Sequence, residues 1–197
     1  INEEPDAIVK TLRPRIKNGM PDFGVDVLTD EKLRSFERIH VVACGTAMHA
    51  GLIGKNVAES LARVPVDVEI ASEFRYKNPI LSKNDLAIII SQSGETADTL
   101  AALRLCKAQG VFTLGIVNVA GSTIAREADA VIYTWAGPEI AVASTKAYTV
   151  QISVMYLFAL RLAYACGKLT EDETKALVDE LLNKAPKVVE KVIANEE

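Results

Sequence analysis

Five short apolar runs, rich in β-branched residues, alternate with helical patterns along most of this chain. Runs of this length, separated by helices, are typical of a parallel sheet that is covered by helices on both faces. We therefore predict an α/β protein with a doubly wound, five-stranded parallel sheet of order 2-1-3-4-5 and extra helices at both ends. The predicted strands span residues 40–44, 66–70, 86–90, 111–117 and 130–134.

The helical patterns around these strands divide the chain into three segments. An N-terminal helical segment (1–35) precedes the α/β domain (36–168), and a C-terminal helical segment (169–197) follows it. Gly110 is expected to end the helix that follows the third strand, because glycine is a common helix stop. The predicted helices span residues 5–12, 46–62, 96–109, 123–127, 145–166 and 172–183.

Charge and hydropathy exclude two classes of partner. The 197 residues are 49% hydrophobic and carry a net charge of −4 without a basic run, which argues against nucleic acid and anionic membranes. The stretch 147–166 is apolar and about long enough to span a bilayer, but it contains Arg161, and a charge is costly there. A long helix buried within protein is therefore the preferred interpretation.

The cysteines and the first residues predict a cytoplasmic protein. Cys44, Cys106 and Cys166 are odd in number and form no C-x-x-C pair, which favours reduced thiols. The chain opens with acidic residues where a secretory signal would be basic and then apolar, so no signal peptide is expected.

The loops after the first and third strands carry small and hydroxyl-bearing residues. Cys44-Gly45-Thr46 follows the first strand, and Ser91-Gln92-Ser93-Gly94-Glu95-Thr96 follows the third. Serine and threonine are ordinary helix caps, so capping alone is one interpretation. However, the predicted strand order reverses between these two strands, where ligands bind in such sheets. Because a helix N terminus also attracts anions, we favour an anion site between the two loops.

The absence of familiar phosphate-binding motifs reduces the number of ligand classes that the loops could bind. The sequence contains neither G-x-x-x-x-G-K-[ST] nor G-x-G-x-x-G, which argues against a nucleoside triphosphate or a dinucleotide. No Lys or Arg lies between Lys83 and Arg104, so an anion would rely on hydroxyls, N–H groups and the helix dipole. These features suit one phosphate on a small metabolite. A third hydroxyl-rich helix start lies at 143–146, with Ser144 as its expected N-cap.

Several reactive side chains receive structural interpretations. His40 and Cys44 are four strand residues apart, roughly 13 Å, and His49 lies in the next helix, so a metal or thiol site is disfavoured. Glu95 would repel a phosphate, and we expect its carboxylate to turn away, toward a partner chain. Lys146 is interpreted as a surface or interface charge rather than a Schiff-base lysine.

Four stretches of the chain together resemble a known family. They are CGT at 44–46, DVEIASEFRY at 67–76, SQSGETADTL at 91–100 and GPEIAVASTKAYT at 137–149. The loop motif alone is similar to the sugar-isomerase (SIS) fold, and the combination resembles the glutamine–fructose-6-phosphate aminotransferase family, also called glucosamine-6-phosphate synthases. The resemblance covers nearly the whole chain.

The resemblance implies a phosphosugar site without catalytic residues, cofactor or metal in this chain. Ala47 departs from the family, which commonly has Ser there, so a hydroxyl contact is lost. The ligand would be fructose 6-phosphate or glucosamine 6-phosphate. The resemblance assigns its phosphate to Ser91, Gln92, Ser93 and Thr96, and its sugar to Cys44, Gly45, Thr46, Val142 and Ser144.

The resemblance also implies partners. The family's enzymes have a glutaminase domain and a second SIS subdomain, which supplies most of the isomerising residues, and we find no counterpart of either in this sequence. The chain is then the first SIS subdomain, inactive by itself and expected to form a homodimer. Two alternatives stay open: a stand-alone homodimeric isomerase, whose base would be His49, Glu95 or Glu139, and a non-catalytic phosphosugar sensor.

Overall fold

The computed structural model describes residues 1–141 and 143–195. The strands within these residues are short. A two-stranded antiparallel hairpin near the N terminus precedes the main sheet. The strands are β1 (Ile16–Lys17), β2 (Met20–Pro21), β3 (Arg38–Ala43), β4 (Val66–Ile70), β5 (Asp85–Ser91), β6 (Phe112–Val117) and β7 (Ala130–Tyr133).

Helices connect the strands and enclose the sheet. A 3₁₀ turn (Arg13–Arg15) follows the first helix, and a π-helical turn (Glu180–Lys184) joins the last two. The α-helices are α1 (Glu4–Leu12), α2 (Asp30–Arg34), α3 (Gly45–Leu61), α4 (Ala71–Phe74), α5 (Ala97–Ala108), α6 (Thr123–Glu127), α7 (Lys146–Ala165), α8 (Glu171–Asp179) and α9 (Ala185–Ala194).

The main sheet has five parallel strands in the order β4-β3-β5-β6-β7. This confirms the predicted order 2-1-3-4-5. Ala43, the last residue of β3, is paired with Ile90 near the end of β5. The loops that leave these two strands therefore start side by side, at the reversal of strand order.

The sheet is buried on both faces because successive side chains of a strand point in opposite directions. On one face Val41 and Ile88 pack with Phe158 of α7. On the other face Val42 and Ile89 pack with Leu103 of α5. A strand covered on both sides must be apolar throughout, which explains the continuous apolar runs in the sequence.

The long apolar helix α7 is covered by the chain's own terminal helices. Leu12 of α1 and Val178 of α8 pack with Leu157 of α7, and all three are nearly inaccessible to solvent. The apolar run thus forms a core helix buried within protein, as the preferred interpretation of the sequence predicts. No helix among residues 1–141 and 143–195 has the length and apolar character needed to cross a membrane.

The ends of the chain differ most from the sequence prediction. The predicted helix 172–183 is observed as α8 and the π-helical turn, and α9 continues beyond it. Thr170 and Glu173 form a reciprocal capping box that starts α8 at Glu171. The hairpin β1–β2 and the short helices α2 and α4 were also absent from the prediction.

Candidate functional site

The loop after β3 leads directly into α3. Cys44 is the N-cap residue in extended conformation, and Gly45 has a φ of 56°, a left-handed conformation that favours glycine. Thr46 is exposed and Ala47 is almost buried at the first turn. The helix N terminus therefore carries one hydroxyl, from Thr46, and at position 47 a methyl group.

The loop after β5 folds around its own hydroxyl groups. The Oγ of Ser91 accepts a hydrogen bond from Gly94 N at 3.0 Å and lies 3.2 Å from Thr96 Oγ1. The Oγ of Ser93 accepts from Glu95 N at 3.2 Å. The hydroxyl groups thus stabilise the turn that leads into α5.

The N terminus of α5 is not capped by these hydroxyls. Thr96 is its N-cap residue, and no side chain of the described segments accepts a hydrogen bond at this helix end. Capping alone therefore does not explain the hydroxyl-rich loop. The first-turn N–H groups remain free of side-chain acceptors, which suits an anion at the positive end of the helix dipole.

Main-chain hydrogen bonds fasten this loop to the neighbouring β6–α6 connection. Gln92 O accepts from Asn118 N at 3.1 Å, and Gly94 O accepts from Ile124 N at 3.0 Å. Since both partners belong to the next unit of the sheet, the loop is held at both of its sides. Its position is therefore set by the fold rather than by a ligand.

Glu95 turns away from the loop, toward α6 of its own chain. Its Oε1 accepts from Thr123 N at 2.7 Å. Hydrogen bonds from the Thr123 hydroxyl and backbone N–H lower the pKa of the Glu95 carboxyl. The expectation that the carboxylate turns away is therefore confirmed, but its partner is α6 of its own chain.

The start of α7 is capped by Glu139 and not by Ser144. The Glu139 carboxylate accepts from Thr145 N at 3.1 Å and from Ala147 N at 2.7 Å. The helix begins at Lys146, after Thr145 as N-cap, so the predicted N-cap at Ser144 is wrong. Lys146 was predicted to be a surface or interface charge; in this chain it is buried and forms an ion pair with Glu3, and an interface role stays a prediction.

A cavity of about 290 Å³ lies where these three segments meet. Its volume is near the lower end of the range of roughly 300–1,000 Å³ that ligand sites span, which suits one small metabolite. Among the residues that the structure describes, its walls contain no Lys or Arg. The lining residues are Cys44, Thr46, Ala47, Ile90, Ser91, Gln92, Ser93, Thr96, Thr99, Glu139, Ala141, Ser144 and Gln151.

Most of the site residues predicted from the sequence meet in this cavity. All four predicted phosphate ligands line it, as do three of the five predicted sugar contacts. Gly45 lies beside the cavity but is not among its described lining residues. Val142 lies outside the described residues. That these side chains bind a ligand stays a prediction.

Three polar side chains that line the cavity were not predicted as ligand contacts. Thr99 lies one turn beyond Thr96, the N-cap residue of α5, and Gln151 lies in the second turn of α7. Helical periodicity from Thr96 would have found Thr99, whereas no predicted contact lies on α7 from which Gln151 could be found. Glu139 was considered only as a possible base, and its capping role depends on a fold-specific contact.

The histidine and cysteine residues near the first strand do not form a cluster. The Nε2 of His40 lies 3.2 Å from Asp85 Oδ2, and both side chains are buried in the sheet. His49 is exposed on α3. Within 1–141 and 143–195, no group of three or more His, Cys, Asp or Glu side chains is arranged to hold a metal ion.

The fold is that of an α/β protein with a cavity at the reversal of strand order. The SIS domain family matches residues 32–161, so this chain belongs to the SIS domain family. The family predicted from the loop motifs is thereby confirmed.

The chain is similar over its whole length to one kind of SIS protein. It is 52% identical over 199 residues to the glutamine–fructose-6-phosphate aminotransferase [isomerizing] of Clostridium tetani, covering 100% of this chain and 32% of that protein. The same-named protein of Caldanaerobacter subterraneus subsp. tengcongensis is 52% identical over 198 residues, with the same coverage. The chain thus spans about a third of the length of these relatives.

Solved structures agree with this similarity. The C-terminal domain of glucosamine-fructose-6-phosphate aminotransferase from Francisella tularensis has a TM-score of 0.92 at 38% identity, over 98% of this chain and 54% of that chain. A glucosamine-6-phosphate deaminase from Thermotoga maritima has a TM-score of 0.70 at 22% identity, over 100% and 57%. The second likeness supports the fold alone.

Proposed function

We propose that this chain is the phosphosugar-binding half of the isomerase region of a glutamine–fructose-6-phosphate aminotransferase. Such an enzyme makes glucosamine 6-phosphate from fructose 6-phosphate and glutamine. The observation that carries the proposal is the cavity, where a hydroxyl-rich loop meets the uncapped N terminus of α5. The 52% identity over the whole chain supports the choice of enzyme.

In this proposal the phosphate lies at the N terminus of α5. Ser91, Gln92, Ser93 and Thr96 surround that position, and the helix dipole favours a negative charge there. Because no described wall residue is a Lys or Arg, the phosphate is held by neutral donors. We expect such binding to be weak enough for ready release.

The sugar extends from the phosphate toward the other two segments. Cys44 and Thr46 line one side, and Ser144 lines the other. Gly45 and Val142 complete the proposed sugar contacts. Ala47 presents a methyl group to the cavity, so the sugar gains no hydroxyl contact from that position.

The proposed enzyme needs more than this chain contains. We propose that a glutaminase domain supplies ammonia and that a second SIS subdomain follows the C-terminal helical segment (169–197). We place the protein in the cytoplasm, an assignment that the free thiols of Cys44, Cys106 and Cys166 support.

The ligand is tested by comparing sugars with and without the phosphate. We expect isothermal titration calorimetry to detect weak binding of fructose 6-phosphate and of glucosamine 6-phosphate, and no binding of fructose. Ser93→Ala removes one hydroxyl donor to a charged group, which should cost roughly 1.5–3 kcal/mol, or about 10- to 150-fold in affinity. Equal affinities for fructose and fructose 6-phosphate would overturn the phosphate assignment.

We also propose that the chain forms a homodimer. Trp135 is 50% exposed and Ile140 is 93% exposed, and both lie beside one surface cavity next to the start of α7. Adjacent large apolar side chains favour pairing with another protein surface. We expect light scattering to give twice the monomer mass, and the Trp135→Ser, Ile140→Ser double variant to give the monomer mass. A monomeric wild-type chain at high concentration would contradict the proposal.

A further inference from the structure

Two polar side chains at the cavity lack the hydrogen bonds that buried groups normally make. Thr99 is inaccessible to solvent and Gln151 is 3% exposed, and both line the cavity. Neither Thr99 Oγ1 nor Gln151 Oε1 has a hydrogen-bond partner among residues 1–141 and 143–195. Since buried polar groups are almost always paired, two such groups at one cavity need an explanation.

Other buried hydroxyls in the helices of this chain are paired in the usual way. Thr174 is inaccessible too, and its Oγ1 donates to Thr170 O at 2.7 Å, one turn earlier in the helix. The Oγ of Ser153 in α7 donates to Thr149 O at 2.9 Å. Thr99 lacks such a bond to the preceding turn although it lies within a helix. Ser122 Oγ and His40 Nδ1 are also unpaired among the described residues, but neither residue lines this cavity, whereas Thr99 does.

Gln151 is unusual for its position as well. It lies in α7, among apolar residues that fill the core. Burying an amide whose oxygen is unpaired lowers stability, and a leucine or methionine would fill a similar volume without that cost. The glutamine is therefore suited to a partner that enters through the cavity.

We propose that Thr99 and Gln151 are ligand-binding residues of the cavity, which a phosphosugar supplies with their hydrogen-bond partner. This inference rests on the proposed function. Thr99 lies one helical turn from Thr96, at the phosphate end, so its hydroxyl donates to a phosphate oxygen. Gln151 lines the cavity together with Ser144, at the sugar end, so its amide binds a sugar hydroxyl. Both oxygens are shielded from bulk water, and a hydrogen bond is stronger in such a shielded site than in water.

In this proposal Thr99 binds the phosphate and Gln151 binds a sugar hydroxyl. Substitutions that conserve side-chain shape test the two roles separately. With Gln151→Leu we expect the affinity for fructose 6-phosphate to fall about tenfold, and the affinity for inorganic phosphate to stay unchanged. With Thr99→Val both affinities should fall, by about tenfold or more. Gln151→Met provides a second, unbranched replacement if the leucine variant does not fold.

Thermal unfolding without ligand separates a binding role from a structural one. Since Thr99 Oγ1 makes no hydrogen bond to the described protein, Thr99→Val should leave the melting temperature unchanged or raise it. Thr174→Val is the matched control: it removes an observed hydrogen bond and should lower the melting temperature by about 2–4 °C.

The possible outcomes are distinguishable. Wild-type affinity for fructose 6-phosphate in both variants would overturn the inference and leave the proposed function standing. A Thr99→Val chain that melts as early as Thr174→Val would overturn the binding role of Thr99, because its hydroxyl would then be structural. If the wild-type chain binds no phosphosugar, the proposed function fails, and this inference fails with it.

Discussion

Replacing Gly94 by alanine is expected to abolish detectable phosphosugar binding and to lower the melting temperature by roughly 5–15 °C. Gly94 has a φ of 67°, which costs about 1–2 kcal/mol for a residue with a Cβ. That Cβ would also lie 2.1 Å from Ser122 Oγ and 2.6 Å from Ser122 Cβ. Overpacking of this kind costs roughly 1–3 kcal/mol more.

The effect on binding follows from the position of the clash. Ser122 precedes α6, to which Gly94 O and the Glu95 carboxylate are hydrogen bonded. The loop can relieve the clash only by moving away from α6, which displaces Ser93 and Thr96 from the cavity. We expect a loss in affinity of at least about 100-fold, measured by calorimetry with fructose 6-phosphate, because several hydrogen bonds to the phosphate are lost together.

Two controls separate the backbone cost from the clash. Gly121 has a φ of 73°, and no atom lies within 4 Å of an added Cβ, so Gly121→Ala should destabilise the chain without affecting binding. Ser122→Gly removes both clashing atoms, and glycine is tolerated at an N-cap position. The Gly94→Ala, Ser122→Gly double variant should therefore regain part of the binding. Equal binding by Gly94→Ala and wild type would contradict the role assigned to the loop.

The sequence predicted the sheet well because each buried strand is a local pattern. β4 was predicted with its observed bounds, and β5 differs by one residue at each end. Such strands are apolar over their whole length and end at loop residues, so neighbouring residues suffice to locate them. The strand order then placed the loops at 44–46 and 91–96 together, and seven of the nine predicted contacts line the cavity.

The missed features depend on contacts that no local pattern reveals. Glu139 caps α7 from a loop six to eight residues away, so neither the hydroxyl rule for N-caps nor helical periodicity points to it. The partner of Lys146 is Glu3, at the other end of the chain. The free hydroxyl of Thr99 likewise appears only when the surrounding structure is known. Helix α9 is an exception, because its apolar residues recur at helical spacing and this local pattern could have predicted it.

The second large expected effect is the absence of isomerase activity. This chain alone should not interconvert fructose 6-phosphate and glucose 6-phosphate. Aldose–ketose exchange needs a base within hydrogen-bond reach of the reacting carbons and a group that opens the ring. Glu95 is exposed and bonded to Thr123, with a lowered pKa, and His49 is outside the described cavity wall. Neither is placed to move the proton.

Glu139 is the remaining carboxylate, because it lines the cavity. Both of its oxygens accept N–H groups at the start of α7, so its position serves the helix. A proton taken up by this carboxylate would disturb one of those two bonds. We therefore assign it to holding the α7 end of the site and not to catalysis.

A coupled assay for glucose 6-phosphate tests this expectation with the purified chain, beside its Glu139→Gln and Glu95→Gln variants. We expect no turnover above a sample without protein, although calorimetry of the same preparation detects fructose 6-phosphate. Turnover that persists through purification and disappears in Glu139→Gln would make this chain an isomerase in its own right. Turnover that disappears only in Glu95→Gln would instead identify Glu95 as the catalytic carboxylate. Activity that is equal in all three proteins and declines with purification would come from a contaminating isomerase, since no carboxylate of the proposed site would then be needed.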